Sequence, residues 1–206
     1  MRTIEQWILR ATAIALAALT LPEIAVAAAV VGQPAPGFTL SDTNGKAESL
    51  ADFSGKYVVL EWINYECPFV KKHYGSGNMQ KLQKKYVGEG VTWLSINSSA
   101  PGKQGNYEPA KWNELTAAAK ASPTAVLLDP DGTVGRAYGA KTTPHMYVID
   151  PKGTVIYAGG IDDKPSTDPA DIPGARNYVD EALGEAMTGK PITIASSAPY
   201  GCSVKY

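Results

Sequence analysis

The chain has 206 residues, of which 44% are hydrophobic, and its formal net charge is −1 at pH 7. This length is enough for one domain with a sizeable core, and the balanced charge gives no indication of nucleic-acid binding. With two cysteines and two histidines, the chain does not favour a structural zinc site, which needs a full set of Cys, His or carboxylate ligands. No Gly-rich nucleotide-binding motif occurs, so no flavin, nicotinamide or other cofactor is expected.

Residues 1–27 are typical of a secretory signal peptide. Arg2 and Arg10 precede an apolar stretch from Ala11 to Leu21, and small residues follow at 25–29. The apolar stretch is shorter than the roughly 20 residues of a membrane-spanning helix, although an uncleaved anchor remains the alternative. We therefore expect an exported protein, periplasmic or secreted, and an oxidising environment for its cysteines.

A short hairpin is predicted within residues 30–56, in front of the main fold. The turn Asp42-Thr43-Asn44-Gly45 contains Asn-Gly, which is the strongest short-range signal for a hairpin. A hydrophobic stretch over Tyr57–Ile63 then predicts the first buried strand.

Cys67 follows this strand and precedes Pro68, a residue that suits the first turn of a helix. Cys67 is therefore expected at a helix N-terminus, where unpaired N–H groups and the helix dipole favour an anion. The anion that a cysteine can supply is the thiolate, which is its reactive form, so we expect the pKa of Cys67 to be lowered. The alternative is that Cys67 forms a structural disulfide with Cys202.

Two helical segments follow, separated by Gly75-Ser76-Gly77. Asn78 is predicted to cap the second segment, which Gly88 ends. Five lysines around these helices predict a solvated face, with the alternative that the first two raise the potential near Cys67: Lys71, Lys72, Lys81, Lys84 and Lys85.

The remaining elements alternate between strands and helices. The predicted strands cover residues 91–96 and 125–128 and a hairpin at 146–150 and 154–158, and the predicted helices cover 109–121, a brief segment at 134–138, and 175–188. This order predicts an α/β fold, with a central mixed β-sheet flanked by helices. Residues 191–206 form a tail without clear periodicity, and this tail carries Cys202.

Three local features resemble the redoxin family of alkyl hydroperoxide reductases and thiol-specific antioxidant proteins. They are Val31–Pro36 with Phe38–Leu40, Asn64–Val70, and the ending Gly201–Tyr206. The resemblance covers essentially the whole mature chain. It implies a thioredoxin-like domain over 28–190 with an N-terminal β-hairpin extension, and a thiol oxidoreductase or antioxidant activity that needs no cofactor.

Several positions depart from the patterns of this family and its relatives. Thioredoxins carry a second cysteine where this chain has Val70. Peroxiredoxins carry proline, threonine and arginine where it has Leu60, Asn64 and Pro144, and the missing arginine argues against fast peroxide reduction. Pro144 instead resembles the cis-proline of thioredoxins, whose backbone pairs with the substrate, so Thr143 and Pro144 are the predicted substrate-binding residues.

The leading hypothesis is that Cys67 attacks a disulfide or a peroxide, which leaves a mixed disulfide or a sulfenic acid. Cys202 is the only other thiol that can resolve this product. Asn64 and Glu66 are further catalytic candidates, and Glu66 would either take up a proton or, as we prefer, cap the helix. The expected partners are protein thiols, disulfides or peroxides and an unidentified thiol donor, with no nucleic acid and no membrane beyond the signal peptide.

Three alternatives remain. The chain could be a peroxiredoxin-type peroxidase, or a non-catalytic binding module with a permanent Cys67–Cys202 disulfide. It could also handle copper, but Val70 or Lys71 stands where such proteins place their second cysteine, and soft metals prefer several thiolates. His73 and His145 are interpreted as packed or surface residues, although His145 could lie near the site.

Overall fold

A computed structural model describes residues 28–206, so the predicted signal peptide lies outside the described residues. The strands are β1 (Thr39–Asp42), β2 (Ala47–Ser49), β3 (Val58–Trp62), β4 (Thr92–Asn97), β5 (Ala125–Leu128), β6 (Thr142–Thr143), β7 (His145–Ile149), β8 (Val155–Gly159) and β9 (Cys202–Ser203). The α-helices are α1 (Pro68–Gly75), α2 (Asn78–Gly88), α3 (Pro109–Ala118), α4 (Thr133–Tyr138) and α5 (Tyr178–Met187). Short 3₁₀ helices cover Leu50–Phe53 and Pro169–Gly174.

Seven strands form one mixed sheet in the order β2-β1-β5-β4-β3-β7-β8. Strand β3 pairs with β4 in parallel and with β7 antiparallel, β4 pairs with β5 in parallel, and β8 returns antiparallel beside β7. Helices join the parallel strands, as a parallel connection requires. The predicted α/β class with a thioredoxin-like arrangement is confirmed. Among residues 28–206, no helix has the length and apolar character needed to cross a membrane.

The central strand β3 is buried along its whole length. Successive side chains of a strand point to opposite faces, so Val59 packs into one core with Trp93, while Leu60 packs into the other with Leu94. Burial on both faces explains why the sequence here is a continuous apolar run with a single acid, Glu61.

The N-terminal hairpin belongs to the main sheet instead of lying in front of it. Strands β1 and β2 pair antiparallel around the predicted Asn-Gly turn, but Ser41 of β1 also pairs with Leu128 of β5. Without β1, strand β5 would be an exposed edge with unpaired N–H and C=O groups. The hairpin therefore covers this edge, a long-range role that its local turn signal could not predict.

The start of α2 differs from the prediction. Gly77 occupies the N-cap with a left-handed φ of 76°, and Asn78 is the first helical residue. The side chain of Asn78 instead donates from Nδ2 to Nδ1 of His73 over 2.9 Å. The last helix also begins later than predicted, because the Asn177 side chain caps it by accepting the N–H of Asp180 at 3.0 Å.

Lys72 does not belong to the predicted solvated face. Four of the five lysines around α1 and α2 are exposed, but Lys72 is only 2% exposed. Its Nζ donates to the carbonyl oxygen of Lys164 over 2.6 Å and lies 3.9 Å from Oδ2 of Asp162. The contacts that bury it come from a loop distant in sequence, so local spacing gave no sign of them.

After α5, the tail runs past the C-terminal ends of strands β3 and β4. Ser196 forms a bridge with Ala158 of β8, and β9 then pairs antiparallel with β6. Beyond β9, the carbonyl of Lys205 accepts the N–H of Ala100 at 2.8 Å. The tail is thus held at several points, and its course brings Cys202 to the loop that follows β3.

Candidate active site

Cys67 occupies the N-cap of α1, with Pro68 at the first helical position. Its N–H donates to the carbonyl of Asn64 over 3.0 Å, and its carbonyl accepts the N–H of Lys71 at 2.9 Å. The predicted place at a helix N-terminus is therefore confirmed. The side chain is 0% exposed, so no reagent reaches its sulfur in this arrangement.

Asn64 shapes the loop that presents Cys67. Its Oδ1 accepts the N–H of Glu66 at 2.9 Å, and its Nδ2 donates to the carbonyl of Gln104 over 3.3 Å. Gly105 allows this close approach, because a Cβ there would lie 2.7 Å from Asn64 Nδ2. Asn64 therefore fixes the backbone between β3 and Cys67.

Glu66 is half-buried and directly precedes Cys67. Among the described residues, its backbone N–H is bonded to Asn64, while its side chain makes no hydrogen bond. The preferred expectation that Glu66 caps the helix is thus not met: Cys67 takes the N-cap position itself, and no side-chain cap forms there.

The predicted substrate-binding residues lie against Cys67. The Thr143–Pro144 peptide bond is cis, as the family resemblance implies. The thiol of Cys67 donates to the carbonyl of Thr143 over 2.9 Å. The Thr143 hydroxyl is buried and makes no hydrogen bond to another residue of 28–206 in this state, but it is within reach of a thiolate at Cys67.

Cys202 is brought to the same point by the tail. In the pairing of β9 with β6, Cys202 lies opposite Thr143. Gly201 makes this approach possible, since its φ is +145° and a Cβ there would lie 2.2 Å from the carbonyl oxygen of Thr143. The thiol and the backbone N–H of Cys202 hydrogen-bond to the sulfur of Cys67. The two cysteines of the chain therefore face each other as free thiols.

The pKa values of the two thiols move apart. Burial raises the pKa of Cys67, but hydrogen bonds from Cys202, the N–H of Val70 and Thr143 outweigh this and lower it below its usual range. Burial and the adjacent Cys67 raise the pKa of Cys202 to about 11. The shared negative charge therefore resides on Cys67, while Cys202 keeps its proton.

Thr143→Val is expected to raise the pKa of Cys67 by about one unit, because the substitution keeps the shape and removes a donor to the thiolate. Fewer Cys67 thiols would then be ionised at neutral pH, and alkylation at fixed pH would slow. The ultraviolet absorbance of the thiolate, followed against pH, measures the shift.

Thr142→Val is the matched control, since the Thr142 hydroxyl donates to the carbonyl of Pro144 over 2.8 Å instead. Equal shifts in both variants would mean that the Thr143 hydroxyl does not stabilise the thiolate.

Glu61 is a buried residue of this region that the sequence interpretation left unassigned. Its carboxylate accepts hydrogen bonds from Trp93 Nε1 at 2.8 Å, Tyr74 OH at 2.9 Å, Ser95 Oγ at 3.1 Å and Gln83 Nε2 at 3.4 Å. Burial raises its pKa, and these hydrogen bonds partly oppose the shift. The signal available in the sequence was a single acidic residue within an apolar strand. The hydrogen bonds of Glu61 connect α1, α2 and β4 to β3.

Both histidines are buried, and burial lowers the pKa of each to about 4. Nδ1 of His145 accepts the N–H of Lys141 at 3.2 Å, and the ring packs on Tyr147 with centroids 4.7 Å apart. His73 is bonded to Tyr200 and Asn78. Both are thus packed, neutral side chains. Within residues 28–206, no group of three His, Cys, Asp or Glu side chains is placed to hold a metal ion.

Comparisons with known proteins place the sequence in a family. The AhpC/TSA family model matches residues 31–158. Thiol-disulfide oxidoreductase ResA of Bacillus subtilis is 36% identical over 66 residues, which is 32% of this chain and 36% of ResA, so the match spans about a third of that relative.

Solved structures match over longer stretches. An uncharacterized conserved protein from Geobacillus kaustophilus has a TM-score of 0.75 and 27% identity, covering 86% of this chain and 92% of that protein. A protein from Chlorobium tepidum, provisionally named thiol:disulfide interchange protein DsbE, has a TM-score of 0.52 and 26% identity, covering 64% of this chain and 85% of that protein.

Proposed function

Because the chain belongs to the AhpC/TSA family, we propose that it is a thiol–disulfide oxidoreductase in which Cys67 is the nucleophile and Cys202 the resolving thiol. The observation that carries this proposal is the pairing of Cys202 opposite Thr143, which supplies the second thiol that Val70 does not provide. The names of ResA and of the Chlorobium protein support disulfide exchange as the reaction class.

The reaction has two exchange steps. The Cys67 thiolate attacks one sulfur of a substrate disulfide, forming a Cys67–substrate disulfide and releasing the other sulfur as a thiolate. Cys202 then gives up its proton to a leaving thiolate and attacks the Cys67 sulfur, which forms the Cys67–Cys202 bond and releases the second substrate sulfur. The second substrate sulfur leaves as a thiolate and takes a proton from solvent, which replaces the proton that Cys67 lost when it ionised. The substrate disulfide is thus reduced to two thiols, the protein dithiol is oxidised, and an external thiol donor restores it.

The residues around Cys67 position its sulfur and accept its proton. Thr143 places its carbonyl and its hydroxyl at the reacting sulfur, and the cis bond to Pro144 turns the chain there. Asn64 holds the loop that carries Cys67. Glu66, half-buried beside Cys67, is the candidate acceptor for the proton that Cys67 loses when it ionises.

Disulfide reduction is favoured over a peroxidase reaction by the positions of the arginines. Among residues 28–206, Arg136 lies 4.6 Å from the ring of Tyr206 and Arg176 pairs with Glu181 at 2.7 Å. Among the described residues, the groups that lower the pKa of Cys67 are hydrogen-bond donors, and no guanidinium of the kind that peroxiredoxins use is one of them. The signal-peptide pattern of residues 1–27 further supports action outside the cytoplasm.

The test is to react the reduced mature chain with hydroxyethyl disulfide, and in parallel with hydrogen peroxide, and to identify the products by mass spectrometry. We expect the wild type to form an internal Cys67–Cys202 bond, and Cys202→Ser to stop at a mixed disulfide on Cys67. Faster oxidation by peroxide than by the disulfide would favour the peroxidase instead. A reduced Cys67 that reacts no faster than a free thiol would leave only the binding module.

A further inference from the structure

A buried polar cluster holds the tail two residues before Cys202, and the exchange steps above do not use it. It consists of Lys72 and His73 of α1, Asp162 of the loop after β8, and Tyr200 of the tail, and we call it the Tyr200 cluster. The side chains of Lys72, His73 and Asp162 are at most 1% exposed. Charged groups are rarely buried this fully without a specific set of partners.

The hydrogen bonds of the cluster run in one direction. The hydroxyl of Tyr200 donates to Oδ1 of Asp162. Since a hydroxyl has one proton, Nε2 of His73, 3.0 Å away, must donate to Tyr200. Nδ1 of His73 is then the acceptor for the Nδ2–H of Asn78 at 2.9 Å. This arrangement assigns a neutral His73 with its proton on Nε2.

The Tyr200 hydroxyl also helps to offset the burial of the charged groups Lys72 and Asp162. Nζ of Lys72 lies 3.9 Å from Oδ2 of Asp162, and Oδ2 has no hydrogen-bond partner among the residues that the structure describes. The same Nζ lies 5.6 Å from the centre of the Tyr200 ring. A buried ion pair is offset only when its remaining hydrogen bonds are made. Removing the Tyr200 hydroxyl leaves Oδ1 of Asp162 with one hydrogen-bond donor among the described residues, the N–H of Lys164.

The cluster joins the two segments that carry the cysteines. Helix α1 begins directly after Cys67, and the ring of its first-turn Phe69 lies 5.9 Å from that of Tyr200. Tyr200 in turn precedes Gly201 and Cys202, whose strand covers Thr143. Cys67 is 0% exposed in this docked arrangement, and Cys202 hydrogen-bonds to its sulfur, so the tail is part of the cover that a substrate must displace.

We propose that the Tyr200 cluster is the positioning device that holds Cys202 against Cys67, and that its opening admits the substrate. Tyr200 is the positioning residue, because its hydroxyl is the contact that the tail contributes to the buried carboxylate. The proposal rests on the proposed function, since it takes Cys67 as the attacking thiol and Cys202 as the resolving one. Opening also frees the Thr142–Thr143 strand, so an extended polypeptide that carries a disulfide can pair there in place of the tail.

The test measures how often the tail opens. In a Cys202→Ser background, Cys67 is the only thiol, and its rate of alkylation by iodoacetamide reports the open population. Adding Tyr200→Phe keeps the ring and removes the hydroxyl, and we expect the rate to rise about tenfold, as for the loss of a hydrogen bond to a charged group. Asp162→Asn in the same background should raise the rate in the same direction.

Tyr206→Phe is the matched control on the other side of Cys202. It also removes a tail hydroxyl, which donates to the carbonyl of Ala140 over 2.8 Å, but it leaves the Tyr200 cluster intact. Because the hydrogen bond that it loses is to a neutral carbonyl and not to a carboxylate, we expect its alkylation rate to rise by no more than about threefold. The urea midpoint of every variant is measured alongside.

An unchanged alkylation rate in Tyr200→Phe overturns the proposal. A rise that equals the increase in globally unfolded molecules also overturns it, because the cluster would then only stabilise the fold. If the two-cysteine wild type forms the Cys67–Cys202 bond with hydroxyethyl disulfide while Tyr200→Phe has no effect, this inference alone fails. If the wild type forms no such bond, the proposed function and this inference both fail.

Discussion

Cys67→Ser is expected to slow the reduction of hydroxyethyl disulfide at least about 10³-fold. A serine hydroxyl in place of the thiol cannot form the mixed disulfide, although it fits the same space at the N-cap of α1. Cys202 cannot take over, because burial raises its pKa and keeps it protonated at neutral pH. The measurement is the steady-state rate with an excess of a dithiol donor, with circular dichroism as a check that the variant folds.

Cys202→Ser is the control for this prediction. Cys67 remains at the helix N-terminus with donors from Val70 and Thr143, so the first attack should still occur. The variant should therefore bind one equivalent of substrate sulfur in a burst and then turn over slowly. If Cys67→Ser keeps a tenth or more of the wild-type rate, Cys67 is not the nucleophile.

Gly201→Ala is expected to slow formation of the Cys67–Cys202 bond about 100-fold. The new Cβ would lie 2.2 Å from the carbonyl oxygen of Thr143, and φ is +145° at this position. Both the overlap with the backbone and the unfavourable φ destabilise the docked position of the tail. If together they raise the free energy of docking by about 3 kcal/mol, the rate falls about 100-fold. The rate is measured by stopping the reaction with acid and quantifying the internal disulfide by mass spectrometry.

Gly189→Ala is the control for general destabilisation by alanine at a glycine of positive φ. Gly189 also has a positive φ, +73°, but a Cβ there would meet no atom of residues 28–206 within 4 Å. It therefore tests the backbone strain of alanine without the overlap, and we expect the internal disulfide to form at nearly the wild-type rate. A similar loss in both variants would indicate general destabilisation, and an unaffected Gly201→Ala would show that the pairing of β9 with β6 is not needed for resolution.

These two predictions concern the nucleophile and its access to the second thiol. The contact between Cys67 and Cys202 depends on a tail that leaves α5, crosses β8 and pairs at Thr143. A resolving thiol on such a tail can leave the site and return, whereas a second cysteine at the Val70 position would be fixed in the first turn of α1. In the proposed mechanism, the tail both resolves the mixed disulfide and covers Cys67 when no substrate is present.

The sequence alone predicted the features that depend on near neighbours. The apolar stretch before Cys67 and the proline after it indicated a strand followed by a helix N-terminus, and β3 and α1 meet there. The order of strands and helices indicated an α/β sheet, because each element has its own periodicity. The family resemblance named Thr143 and Pro144 as neighbours of Cys67, while export and the domain boundaries remain predictions.

Only the tertiary structure decided the contacts between residues far apart in the chain. Local patterns treated Lys72 as a solvated lysine and Glu61 as one residue of a strand, yet both are buried with specific partners. The position of Cys202 was open for the same reason, since a tail without periodicity carries no signal of where it docks. The tail that carries it pairs with the backbone at Thr143 and contacts the carboxylate of Asp162, and both contacts form only when distant segments of the chain have packed together.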